Sequence, residues 1–182
     1  MIRRCLAFAA AVVLPAASVM AQAGAGAAAS AVDDTLFAAA AAESGAAELA
    51  MSRLGIEKAG DPELKRFSQM MIEDHTKLNA ELASTAAAKG ISLPREVGPC
   101  PKFKLQALAG LSGGEFDKCY AEAQAVAHKD AVAIFKAEAE HGQDPDVKAL
   151  AAKALPKIQR HLEMIKPIAM KYEKSEPSPA GH

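Results

Sequence analysis

Three features of the sequence predict an all-α fold, an up-down-up-down antiparallel four-helix bundle over residues 33–174. Apolar residues recur three and four apart through long stretches, as on the buried stripe of a helix. The turn Asp61-Pro62-Glu63-Leu64-Lys65 returns as Asp144-Pro145-Asp146-Val147-Lys148, each time an N-cap aspartate, a proline at the first helical position and an acid in the first turn. Alanine is abundant and β-branched runs are short, which leaves no strand candidate.

The chain opens with Met1-Ile2-Arg3-Arg4, a short apolar stretch from Leu6 to Pro15 and the small-residue site Val19-Met20-Ala21. That is the layout of an export signal over residues 1–21, cut after Ala21, and it places the expected mature protein in the periplasm or outside the cell. Arg3-Arg4 lacks the rest of a twin-arginine motif, and Cys5 lacks a lipoprotein box. No later run of about 18 apolar residues occurs, so no membrane span is expected. Residues 22–32 form an Ala/Gly linker that reads as flexible.

The first helix is expected from Asp33 to Lys58, where Gly60-Asp61-Pro62 ends it. The second opens at Asp61 and runs to Lys89-Gly90. Residues 91–111, with Pro94, Gly98, Pro99 and Pro101, form the one long connection, with room for a short helix near Phe103–Leu108. The third helix starts at Ser112-Gly113-Gly114-Glu115, a capping-box pattern, and stops at His141-Gly142. The fourth opens at Asp144 and fades near Lys174, with Pro156 inside it predicting a bend. Residues 175–182 read as a disordered tail. Helices joined by short turns pack as antiparallel neighbours, so the first two form one hairpin and the last two another.

Composition narrows the function. Cutting after Ala21 removes two of the 21 basic residues and none of the 22 acidic ones, leaving a net charge of −3. A mildly acidic chain with six Phe, two Tyr and no Trp has neither the basic face nor the stacking aromatics of a nucleic-acid binder. No Gly-rich phosphate loop, nucleophile elbow or Cys-His pair is present, so no catalytic residue is assigned and hydrolase or transferase chemistry has no motif behind it. Of the three cysteines, Cys100 and Cys119 would remain after export. In an oxidising compartment a disulfide between them is expected, contributing about 3 kcal/mol.

The informative residues are polar ones in apolar seams. Met71, His75, Leu78 and Leu82 share one face of the second helix. On the fourth, His161 lies between Ile158 and Ile165 in a seam that runs from Val147 to Tyr172. Phe37, Ala41, Ser44, Glu48, Met51 and Gly55 turn Glu48 inward on the first helix, and Gln124, His128, Ala131 and Phe135 do the same for His128 on the third. Counting from the turns fixes depth. Glu48 lies 13 residues before Asp61 and His75 lies 14 after it; His128 lies 16 before Asp144 and His161 lies 17 after it. At about 1.5 Å per residue each pair sits at matching height, so Glu48, His75, His128 and His161 are expected to share one layer at mid-bundle.

Three imidazoles and a carboxylate in a dry bundle have the composition of a site for a single transition-metal ion: zinc, iron, manganese or copper. Asp74 and Gln124 are the candidates for orienting the ligands from outside, although Asp74, about 100° around the helix from His75, reads equally as a solvated charge. The alternative is a buried polar cluster satisfied by hydrogen bonds. Asp117 lies some three turns from His128 and is expected to cap the start of its own helix. His141 ends a helix and His182 lies in the tail, so neither is a ligand candidate.

Met70-x-x-x-Asp74-His75-Thr76, Phe116-Asp117-x-x-Tyr120 followed by His128, and Leu155-Pro156 followed by His161-Leu162 together resemble an exported bacterial family of unknown function. Its members have a ferritin-like four-helix bundle and are often labelled outer-membrane or periplasmic proteins. The resemblance covers residues 33–172 and implies a bundle and an exported location, with no settled activity. Dinuclear ferritin-type iron sites use Glu-x-x-His on two helices. Here Ile72 and Ile158 stand three before His75 and His161, so no bridging carboxylate set is present and a single ion fits better. Two function classes follow: a metal-binding bundle of the periplasm, or a structural or interaction module of the envelope whose polar layer only fixes register.

Overall fold

A computed structural model describes residues 31–174. The export signal, nearly all of the linker and the tail fall outside the described residues. Among the described residues there are five helices and no strand: α1 (Asp34–Lys58), α2 (Pro62–Ala88), α3 (Pro99–Gly110), α4 (Gly113–His141) and α5 (Pro145–Lys174). The expectation of four helices is corrected here by α3. Pro99 occupies the start of that helix, where its missing N–H is unpaired in any case, so the segment becomes helical well before Phe103.

Most caps act as the sequence implies. Asp33 accepts from the Thr35 and Leu36 amides, Asp61 from Glu63, and Asp144 from Asp146 and Val147. Ser112 is the N-cap of α4, but its hydroxyl makes no capping bond. Gly113 there adopts φ of 58°, in the left-handed region that favours glycine. α5 is continuous through Pro156 and Pro167. Both prolines face solvent, where water can take up the carbonyls they leave unpaired.

α1 packs along α2 and α4 along α5, and contacts between α1 and α4 and between α2 and α5 join the two hairpins. α3 lies on α1, held at one end by Glu43, which accepts from the Gly98 amide at 2.6 Å, and at the other by Lys58, which donates to the Ala109 carbonyl. One end of the bundle gathers the α1–α2 turn, the start of α4 and the end of α5. There Asp117 accepts from the Gly60 and Asp61 amides, both at 2.9 Å, and the Tyr172 hydroxyl donates to Asp61 at 3.0 Å. At the opposite end Asp34 accepts from the Gln143 and Asp144 amides, and Lys89 pairs with Asp144 and Asp146. Asp117 therefore caps the α1–α2 turn and not its own helix, because it points into the seam it shares with Tyr120 and Gln124.

No disulfide joins Cys100 to Cys119 among the described residues. Cys100 is exposed in the first turn of α3, at the Glu43 level of α1. Cys119 lies two residues beyond Asp117, at the Lys58 level. The nine residues of helix from Cys100 to Ala109 span about 14 Å, whereas a disulfide tolerates a Cα separation of at most about 7 Å.

The apolar core falls into segments along the axis. Leu64, Phe67, Met71, Phe116, Tyr120 and Ile165 pack at one end, and Phe37, Leu82, Val147 and Ala151 at the other. The polar layer lies between them.

Candidate metal centre

Each long helix delivers one polar residue to the layer. Glu48, His75, His128 and His161 are all buried, with 1%, 5%, 0% and 0% exposure. Glu48 Oε2 lies 3.3 Å from His75 Nε2 and 3.4 Å from His128 Nε2. The three histidines each offer one ring nitrogen within 4.8 Å of the others. Their ring centroids are 5.5 to 5.9 Å apart. The structure thus brings together all four residues that the seam and the turn arithmetic select.

The remaining polar atoms of three of these side chains are engaged on the outside. Ser44, one turn before Glu48, donates to Glu48 Oε1 at 2.6 Å. His128 Nδ1 donates to the Gln124 carbonyl at 2.8 Å. His161 Nε2 lies 3.0 Å from Asp74 Oδ2, and the same carboxylate binds Lys157 through its other oxygen at 2.7 Å. What faces inward makes no hydrogen bond: Glu48 Oε2, His75 Nε2 and His128 Nε2 are buried and approach one another without hydrogen-bond geometry, and His161 Nδ1 is buried without a hydrogen-bond partner. Four buried polar atoms without hydrogen bonds in a dry interior would cost several kcal/mol together.

Both candidates for orienting the ligands stand beside the layer. Asp74 meets His161 across the α2–α5 interface and is not a solvated charge. Gln124 acts on His128 through its main-chain carbonyl, while its side chain donates to Ser52 Oγ at 3.0 Å and to the Tyr120 hydroxyl at 3.2 Å. Ser52 in turn donates to the Glu48 carbonyl, and Ser68 bonds the Tyr120 hydroxyl. The role of Ser44 could have been read from its place one turn before Glu48 in the same seam. Glu138, fully buried on α4, was missed although it continues the seam three residues past Phe135.

Electrostatics keep two of the imidazoles, His75 and His161, in the form that binds metals. Burial, reinforced by His128 and His161, holds His75 down to about 3. Burial also lowers His161, against the opposing pull of Asp74. Both are neutral at pH 7, with lone pairs available. Glu48 is pushed up by burial, partly offset by His128 and the Ser44 hydrogen bond. A cation in the layer would supply the charge that this carboxylate lacks.

The spacing suits such an ion. Ligands about 2.0–2.1 Å from a tetrahedral ion lie about 3.3–3.4 Å apart, which matches the two Glu48–histidine separations. A cleft of about 250 Å³ between α1, α3 and α4 reaches Ser44 and Glu48, with Glu43, Lys104 and Asp130 among its walls. No helix among the described residues is long and apolar enough to cross a membrane.

Fold and site together define a helical protein with a buried three-histidine, one-glutamate layer that could hold a metal ion. The chain belongs to the family DUF4142, described as a domain of unknown function, whose match spans residues 19–168. Among solved structures it is similar to a DUF305 fragment from Deinococcus radiodurans, with a TM-score of 0.67 and 11% identity over 78% of this chain and 98% of that one. At that identity the likeness speaks for the fold alone. No curated protein matches the chain.

Proposed function

We propose that this protein is an exported, ferritin-like bundle of up-down-up-down topology that binds one transition-metal ion through Glu48, His75, His128 and His161. The carrying observation is that the four inward-facing donor atoms are buried without hydrogen bonds while the outer atoms of three of the side chains are hydrogen-bonded. Asp74 on His161 repeats the carboxylate–histidine–metal arrangement, which fixes the tautomer and raises ligand basicity. Neutral nitrogen with one carboxylate suits zinc, iron, manganese or copper. A periplasmic role in metal buffering, sensing or redox protection follows, and no catalytic residue is assigned.

The test is elemental analysis of protein purified from the periplasm without a histidine tag, before and after reconstitution with each metal. One equivalent in the wild type, lost in Glu48→Gln and His161→Ala while the helical circular dichroism is kept, is the expected result. The competing structural reading draws on the hydrogen-bonded Ser52, Gln124, Tyr120 and Ser68 beside the layer, which could set helix register unaided. It prevails if no metal binds, or if His161→Ala unfolds the bundle without changing metal content.

A further inference from the structure

The two axial faces of the layer differ. Toward the α1–α2 turn it is sealed by Phe67, whose ring meets the His128 ring at 5.9 Å, and by the buried Ser52, Gln124 and Tyr120. Toward the opposite end it borders a cavity of about 30 Å³ lined by Glu48 and His75 themselves. Further lining residues lie one or two turns farther in that direction on every long helix, among them Ser44 on α1, Asn79 on α2, Ala131 and Phe135 on α4, and Ala154 and Ile158 on α5. The void therefore lies among the four long helices on that side of the layer and borders two of the four donor residues, Glu48 and His75.

Bundle interiors pack with few voids larger than a water molecule, so a void beside Glu48 and His75 calls for an occupant. His75 supplies a second reason. Its Nδ1 is buried and unpartnered, as is its Nε2, so this ring alone in the layer has no hydrogen bond to hold it. Gly45, also on the cavity wall, leaves out a Cβ that would strike the Asn79 carboxamide, and this keeps an amide among otherwise mainly apolar lining residues. A volume of about 30 Å³ amounts to about two water-sized positions.

We infer that the cavity holds a small exchangeable ligand of two or three atoms, bonded to the ion in the layer, so that the centre is open and not a closed structural site. This rests on the metal reading above. Four protein donors alone would close a tetrahedral site, whereas ligand-exchanging centres keep a coordination position open, and this cavity borders two of the four donor residues. The ligand class is a neutral or singly charged donor: water or hydroxide, a diatomic molecule, or a linear triatomic anion. The walls are mainly aliphatic with Phe135, carry the acidic Glu81 and Glu48 and no Lys or Arg, and cannot replace the hydration of a multiply charged anion, which excludes phosphate and sulfate.

The experiment loads the full mature chain with one equivalent of cobalt(II) and follows its visible absorption during an azide titration. A saturable spectral shift with one azide per cobalt is expected. Ala154→Leu fills the cavity from α5 and should retain one cobalt while losing at least tenfold in azide affinity. Ala131→Val gives the same readout from α4 should the larger insertion fold poorly. Bound cobalt with a spectrum unmoved by azide overturns the open centre and leaves the metal reading standing. Failure to bind cobalt overturns both. An azide response undiminished in the filled variants places the ligand elsewhere and overturns the inference.

Discussion

The Asp74 carboxylate meets His161 Nε2 at 3.0 Å, and this contact aims the other ring nitrogen, Nδ1, into the bundle beside His75 and His128. Asp74 lies on α2 next to His75 in sequence, so one turn of helix supplies both a donor and the group that orients a donor on α5.

Asp74→Asn should therefore weaken metal binding by about tenfold to a hundredfold with little loss of folding, since the ring keeps a hydrogen-bonding neighbour but loses a charged acceptor. Competition against a chelator of known affinity measures this. An unchanged affinity would show that the orientation of His161 does not depend on the carboxylate charge.

The metal-free protein should lose stability in acid because of His75. Its folded value of about 3 lies below the ordinary 6.5, so between those limits the unfolded chain binds a proton that the folded chain refuses. The contribution of His75 is complete above pH 6.5 and falls as pH drops, by about 1.4 kcal/mol per unit. His161 acts in the same direction. Glu48 opposes both, because its raised carboxyl takes up a proton first in the folded state. Denaturation at pH 7, 6 and 5 should give a steeper acid loss in Glu48→Gln than in wild type, and a shallower one in His75→Gln. Equal slopes in all three would contradict the assignment.

Glu138 predicts the reverse trend at the other end of α4. Burial, with the neighbouring Asp34 carboxylate adding to it, pushes its carboxyl up to about 7 from 4.5. The stability it contributes is complete below pH 4.5 and is lost as pH rises to about 7. Glu138→Gln should match wild type in melting temperature at pH 5 and exceed it at pH 8. A variant that melts lower at pH 8 would show that the ionised carboxylate is well accommodated.

Gly55 is where α1 passes closest to the hydroxyl network. A Cβ there would strike Ser68 Oγ and stand 2.7 Å from Tyr120 Cζ. Tyr120 is stacked on Phe116 at 5.6 Å and fully buried, so it has no room to retreat. Gly55→Ala should destabilise the fold by about 1–3 kcal/mol through overpacking, although alanine is the better helix former. A raised midpoint in urea would show that the helices can separate locally at no cost.

Much of the site was legible because it follows local rules. Glu48 and His75 meet because both lie at nearly equal distance from the Asp61 turn, and helix rise is constant. The seam that selected His128 also contains Asp117 and Glu138, one spaced to the N-terminal side and one to the C-terminal side. Asp117 was misassigned because a first-turn acid normally serves its own helix, whereas here the amides of Gly60 and Asp61 approach from another hairpin. α3 was underestimated because prolines suggest a loop, yet Pro99 falls at the one helical position that tolerates it.

By itself the sequence determined the four long helices, the aspartate caps at Asp61 and Asp144, the inward faces and the depth of the four polar residues, since periodicity and rise are properties of a single helix. Only the tertiary structure decided which nitrogen of each imidazole faces the others, that Gln124 acts through its carbonyl, that Asp74 crosses to α5, and that Cys100 on α3 and Cys119 on α4 are not bridged. Those outcomes depend on side-chain rotamers and on how far each helix turns about its axis. Differences of 1–2 Å there separate a ligand from a neighbour, and a count of about 1.5 Å per residue along one helix does not resolve them.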